Sequence, residues 1–95
     1  MKKDTIKKHP YVTGRNYLIR TITMYYTGRL IEVFDGELVI TSAAWIPDVG
    51  RFADFLNHGT PAECEPYPDG AQVVINRASV VDIVPFVFPL PRIQK

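Results

Sequence analysis

Residues 29–45 place apolar runs on both sides of a polar pair. Leu30, Ile31, Val33 and Phe34 precede Asp35-Gly36, and Leu38, Val39 and Ile40 follow it. An Asp-Gly pair in this setting is a strong hairpin signal, because both central residues of a type I′ turn need positive φ. The pattern predicts strands over 29–34 and 37–45, the second stopped by Pro47, which cannot donate to a ladder. Upstream, residues 16–26 are rich in β-branched and aromatic types and predict another strand. Tyr17, Ile19, Thr21, Thr23 and Tyr25 share one face of it, and Leu18, Arg20, Ile22, Met24 and Tyr26 the other. Neither face is purely polar. Such a strand lies between two packed layers or is covered on its outer side by a partner. Turns are expected at Val12-Thr13-Gly14 and Thr27-Gly28.

The period then changes. In residues 48–58, Phe52, Phe55 and Leu56 fall at i, i+3 and i+4, one apolar stripe of a short helix. Asp48 is placed to cap its start, and Arg51 can pair with Asp54 across one turn. Gly59 is placed as the left-handed residue after it, with Pro61 blocking re-extension. So short a helix does not stand alone in water, so its stripe must pack on the sheet. Residues 59–71 hold three prolines and the acidic Glu63, Glu65 and Asp69, and read as a loop closed by Asp69-Gly70. Strands are expected over 72–76 and 79–84, joined by a sharp corner at Arg77-Ala78. The tail from Pro85 to Lys95 is apolar and proline-spaced, and should run extended.

These elements describe a mainly β chain of five strands with one short helix inserted between strands 3 and 4. Ninety-five residues make one domain, and a domain of this size buries only about 60–65% of its unfolded surface. Hydrophobic residues are 46% and charged residues 22% of the chain, ordinary values for a globular protein. No apolar run approaches the roughly 18 residues that span a bilayer, so no membrane partner is expected. The N-terminus lacks the apolar stretch of a secretory signal. The single cysteine, Cys64, can form no internal disulfide, and a reducing, cytoplasmic setting is the expectation.

Charge is uneven although the net is +1. Residues 1–20 carry Lys2, Lys3, Lys7, Lys8, Arg15 and Arg20 against Asp4 alone, and the rest of the chain is mildly acidic. Residues 1–10 therefore read as a basic arm: a solvated terminus, or a segment that docks on phosphate or on acidic side chains.

Two stretches resemble the Sm-like (LSm/Hfq) family of SH3-like small barrels. Gly28-Arg-Leu30-Ile-Glu-Val33-Phe34-Asp35 is similar to that family's second strand. Val74-Ile75-Asn76-Arg77-Ala78-Ser79-Val80-Val81-Asp82-Ile83-Val84-Pro85 is similar to its closing segment. The resemblance implies a five-stranded SH3-like barrel that assembles into rings by pairing the fourth strand with the fifth strand of a neighbour. Val73, Ile75, Val81 and Ile83 would then lie at the subunit interface. It also implies RNA contact at the corner after the fourth strand, hence Arg77 with Asn76 beside it. The chain departs from the family in beginning with a basic arm rather than a helix, in having no residues between Asp35-Gly36 and the next strand to clasp a base, and in carrying Ala78 after the arginine.

Three functions follow as expectations. The first is a non-enzymatic, self-assembling homo-oligomer. Phe86, Phe88 and Leu90 alternate along the tail and would anchor it on a neighbour, while the lysine arm would meet Glu63, Glu65 and Asp69 of another copy. The second is an RNA-binding ring, with Tyr25, Tyr26 and Phe34 as stacking surfaces and Lys7 and Lys8 on phosphates. Against it, the tyrosines fit equally well in a core and Arg77 in a pair with Asp82. The third, catalysis, has little support. His9 lies in the arm, and His58 ends the helix, where the dipole favours a cation. Cys64 between Glu63 and Glu65 would have a raised pKa and make a poor nucleophile. The acidic spacing matches no calcium loop, and no cofactor is implied.

Overall fold

The computed structural model describes residues 9–95. Its strands are β1 (Asn16–Thr21), β2 (Tyr25–Val33), β3 (Glu37–Asp48), β4 (Glu63–Pro66), β5 (Val73–Asn76) and β6 (Val80–Pro85), with one helix, α1 (Phe52–His58), between β3 and β4. A 3-10 turn, Arg77–Ser79, joins β5 to β6. All pairings are antiparallel, in the order β4-β3-β2-β1-β6 with β5 also beside β3. β3 is long enough to serve two partners along one edge. Leu38 and Ile40 face Ile75 and Val73 of β5, and Ala44 and Trp45 face Pro66 and Glu65 of β4. Ser42, at φ 49°, sits at the junction between them.

The expected mainly β architecture with one short helix is present, but six strands replace five and the sheet is not a closed barrel. β5 and β6 lie at separate margins of the sheet, and among the described residues no ladder joins them. The sixth strand is β4, which lies inside the stretch read as loop. Its four residues are too few to register a period among prolines.

The strand expected over 16–26 is two strands. Thr21 turns the chain: its hydroxyl donates to Met24 O at 2.8 Å and accepts from Met24 N–H at 2.9 Å. Gly28 is therefore not a turn residue but lies inside β2, where a Cβ would come within 2.9 Å of Ile40 Cδ1. Glycine is used here for close approach to the neighbouring strand. β3 runs past Pro47 because its register with β4 shifts between Trp45 and Asp48, leaving the proline outside the ladder. The hairpin at Asp35-Gly36 forms, with Phe34 N–H donating to Glu37 O at 2.8 Å. It is not type I′, since neither central residue has positive φ. Its carbonyls are instead held by the Arg77 corner: Gly36 O accepts Arg77 N–H at 2.9 Å, and Phe34 O accepts the guanidinium.

α1 starts later than expected. Asp48 does not cap it but accepts Gly50 N–H at 2.7 Å, and Arg51 precedes the helix with no side-chain cap. Its end is as read: Gly59 is left-handed at φ 75° and donates to Phe55 O.

Both faces of β1 are covered by the chain itself. Tyr17 and Ile19 join Leu30, Leu38, Ile40 and Ile75 in one cluster. Leu18 packs on the other side with Phe55 and Phe86, flanked by Phe52, Phe88 and Leu90. The tail is thus not a free extended arm. After Phe86 it crosses α1 and reaches β4, where Lys95 and Cys64 exchange two backbone hydrogen bonds of 2.9 Å each. Arg92 secures it, donating to Ala43 O, to Tyr67 O at 2.7 Å and to Asp69 at 2.9 Å. No helix among the described residues is long and apolar enough to cross a membrane.

Candidate functional site

The hairpin tip, the Arg77 corner and the segment entering β1 meet in an open groove of about 720 Å³. Each wall has a local cause. Gly14, at φ 87°, turns the entering chain and donates to Leu30 O at 2.7 Å, which lays residues 9–13 along the end of β2. Tyr17 fixes that segment through Val12 N–H, which donates to the phenol oxygen at 3.1 Å. Asn76 accepts Ala78 N–H at 2.9 Å on its side-chain oxygen and so caps the 3-10 turn that presents Arg77.

The Arg77 guanidinium is fixed from two directions. It donates to Phe34 O, and its carbon lies 5.0 Å from the centre of the Tyr11 ring. Tyr11 packs in turn on His9 at 5.5 Å between centres, and His9 Nδ1 accepts Tyr11 N–H at 3.2 Å. That bond places any proton of the neutral imidazole on Nε2. Phe34 is half exposed beside Asp35. The groove therefore offers aromatic faces, a planar cation and one carboxylate. This set can hold a flat ring by stacking and hydrogen bonding.

Of the residues expected to touch RNA, Phe34 and Arg77 meet here, with Asn76 as the capping residue behind them. Tyr25 and Tyr26 do not join them. Tyr25 lies against Phe52, 6.4 Å between ring centres, and Tyr26 against Tyr67 at 6.5 Å. Lys7 and Lys8, like Lys2 and Lys3, lie outside the described residues. Tyr11 escaped the sequence reading, and His9 was read only as part of the arm, because both precede every strand; a Tyr two residues after an isolated His carries no periodic signal.

The expected Arg77–Asp82 pair is absent. Asp82 is held by Arg20 through both carboxylate oxygens, with Arg20 Nε donating at 2.7 Å. The Arg20 hydrogen bond holds the Asp82 carboxyl below the usual carboxylate range and raises the already high pKa of the guanidinium. Arg20 also lies over the Phe52 ring at 4.8 Å. Cys64 has a raised pKa, as expected. Burial is the main cause, and Glu65 adds to it while Arg92 opposes it. His58 Nδ1 lies 3.1 Å from Asp54 O at the end of α1.

The residues expected at a subunit interface divide. Ile75 and Phe86 are buried in their own chain, Val73 and Ile83 pack against the first core cluster, and Phe88 and Leu90 against the second. The tail anchor is thus intramolecular, because α1 and β1 supply the apolar surface it was expected to find on a neighbour. Val81 is 61% exposed, as is its counterpart on β5, Val74, at 62%. Val74 was missed because it shares β5 with inward-facing neighbours.

No protein-family model matches the chain. No curated protein and no solved structure matches it either.

Proposed function

We propose that the chain is a non-enzymatic, self-assembling subunit of Sm-like type, whose copies join by adding the β5 edge of one to the β6 edge of the next. The observation that carries this reading is the state of the two edges. β5 pairs only with β3 and β6 only with β1 among the described residues, and each presents an exposed valine, Val74 and Val81. Unpaired strand edges are templates for another chain, and edge-to-edge addition repeated around an axis closes a ring. The tight β2–β3 hairpin and the 3-10 corner between β5 and β6 support the Sm-like reading, with the sheet left open in the single subunit.

Light scattering tests it. Assembly predicts a mass well above the 10.8 kDa of one chain, and conversion to monomer by Val74→Lys or Val81→Lys. A wild-type monomer at micromolar concentration removes the reading.

A second reading, single-stranded RNA binding, is favoured by one observation: the groove that unites Phe34, Arg77 and Tyr11. Stacking and cation–π contact together suit unpaired bases. Binding should be strongest at low salt, where phosphate contacts count most, and should weaken in Arg77→Ala and Phe34→Ala. No binding at low salt eliminates it.

A further inference from the structure

Trp45 is the only tryptophan of the chain, and it is 38% exposed. It stands opposite Tyr26 on one side and Glu65 on the other, so that an indole, a phenol and a carboxylate form one row across β2, β3 and β4. Next along the same ladder, Asp48 faces Glu63. Like charges directly opposed weaken a sheet. The ion pairs found among the described residues, Arg20–Asp82 and Arg92–Asp69, neutralise neither. Trp45, Met24, Pro47 and Asp48 line a groove of about 300 Å³ at this end of the molecule.

Carboxylates beside an exposed indole select ammonium groups. The charges attract, and the indole face adds a cation–π contact. We infer that this groove and the Asp48–Glu63 pair receive Lys7 and Lys8 from a second copy of the chain. The inference rests on the self-assembly reading and deepens it.

Charge and reach both single out that occupant. Residues 1–8 hold Lys2, Lys3, Lys7 and Lys8 against Asp4. Spacing along the chain favours the Lys7 and Lys8 of a second copy over those of the same chain. Tyr11 is fixed at the hairpin end, in the groove it shares with Phe34. Trp45 is opposite Tyr26, eight residues back along β2 from Phe34. Lys7 lies four residues before Tyr11 and reaches ~14 Å at most when extended. Lysines of a second copy face no such limit. Asp69, expected to share this role, does not, because Arg92 already holds it.

The test uses full-length chains carrying complementary charge reversals, with Trp45 emission as the readout. In the wild type at low salt, emission shifts to shorter wavelength as concentration rises, and high salt reverses the shift, because exposed charges are screened. Lys7→Glu/Lys8→Glu and Glu63→Lys/Glu65→Lys each abolish the shift alone. Mixing these two variants restores it, since each arm then meets an opposite charge on the other chain. Recovery only when all four changes sit in one chain overturns the inference in favour of a contact within one copy. A wild-type oligomer whose Trp45 emission ignores both reversals overturns it and leaves the assembly reading standing. A wild-type chain that light scattering finds monomeric throughout removes both.

Discussion

The margins of this sheet are treated in two ways. At β4, the chain covers its own edge: Lys95 pairs with Cys64, and Arg92 binds the carbonyls of Ala43 and Tyr67. At β5 and β6, the edges carry no strand partner among the described residues and present Val74 and Val81. An open apolar edge is an aggregation hazard that a folded protein normally blunts. A chain that lays residues 86–95 along one margin has the means to protect an edge. The bare margins elsewhere in the same molecule are the surface on which the proposed assembly depends. The difference also relocates the anchor role of the tail: Phe86 packs inside its own subunit, so the proposed assembly rests on the edges alone.

Four expected outcomes break or sharpen this contrast. The largest effect is at the covered margin. Phe86→Ala empties a site 7% exposed between Phe55 and Leu18 and should cost about 3–5 kcal/mol. Denaturant unfolding measures it, and a loss below about 1 kcal/mol would mean that the tail does not pack as described. Next is Gly59→Ala. The left-handed backbone there costs a residue with a Cβ about 1–2 kcal/mol, and that Cβ would also overlap Phe88. The midpoint of thermal unfolding should fall by several degrees.

Third, compared at a concentration where the wild type is also monomeric, so that association adds nothing, Val74→Lys and Val81→Lys should change the unfolding free energy of the subunit by no more than about 0.5 kcal/mol, as exposed substitutions do. A larger loss would make these valines part of the subunit core rather than of a free edge. The smallest effect is at Asp82. Its folded pKa is below its unfolded value, so its contribution is present above the ordinary carboxylate range and disappears as pH falls through the lowered folded value. Asp82→Asn should therefore be least stable relative to wild type near neutral pH. The difference should narrow in acid, remaining within about 1 kcal/mol because the pair is exposed. Acid titration of unfolding for both chains checks the sign.

The sequence made some of this legible and hid the rest for physical reasons. Hairpin, helix end and sharp corner were readable because each depends on neighbours in the chain: Asp35-Gly36 between apolar runs, Gly59 after an apolar stripe, Asn76 before Arg77. The turn at 22–24 was not, because a side chain rather than a glycine makes it. Thr21 supplies the bonds, and residues 16–26 contain no breaker. Gly28 misled in the opposite sense, since a glycine that admits Ile40 looks in sequence like one that turns the chain. For the groove, Phe34 and Arg77 were identified separately, but Arg77 reaches Phe34 across 43 positions, a separation that no local pattern reports. The tail illustrates a further gap. Alternating Phe86, Phe88 and Leu90 state that apolar surface must be covered, and nothing in their spacing states by which chain.

The bond between Cys64 and Lys95 also sets an order of events during synthesis. β4 and α1 leave the ribosome well before the segment that shields them, so the margin of β4 stays bare until residue 95 has emerged. A nascent chain stalled short of that point exposes one more sticky edge than the finished protein. Transiently bare strand edges are aggregation-prone, and this one is covered only by the segment made last in residues 9–95.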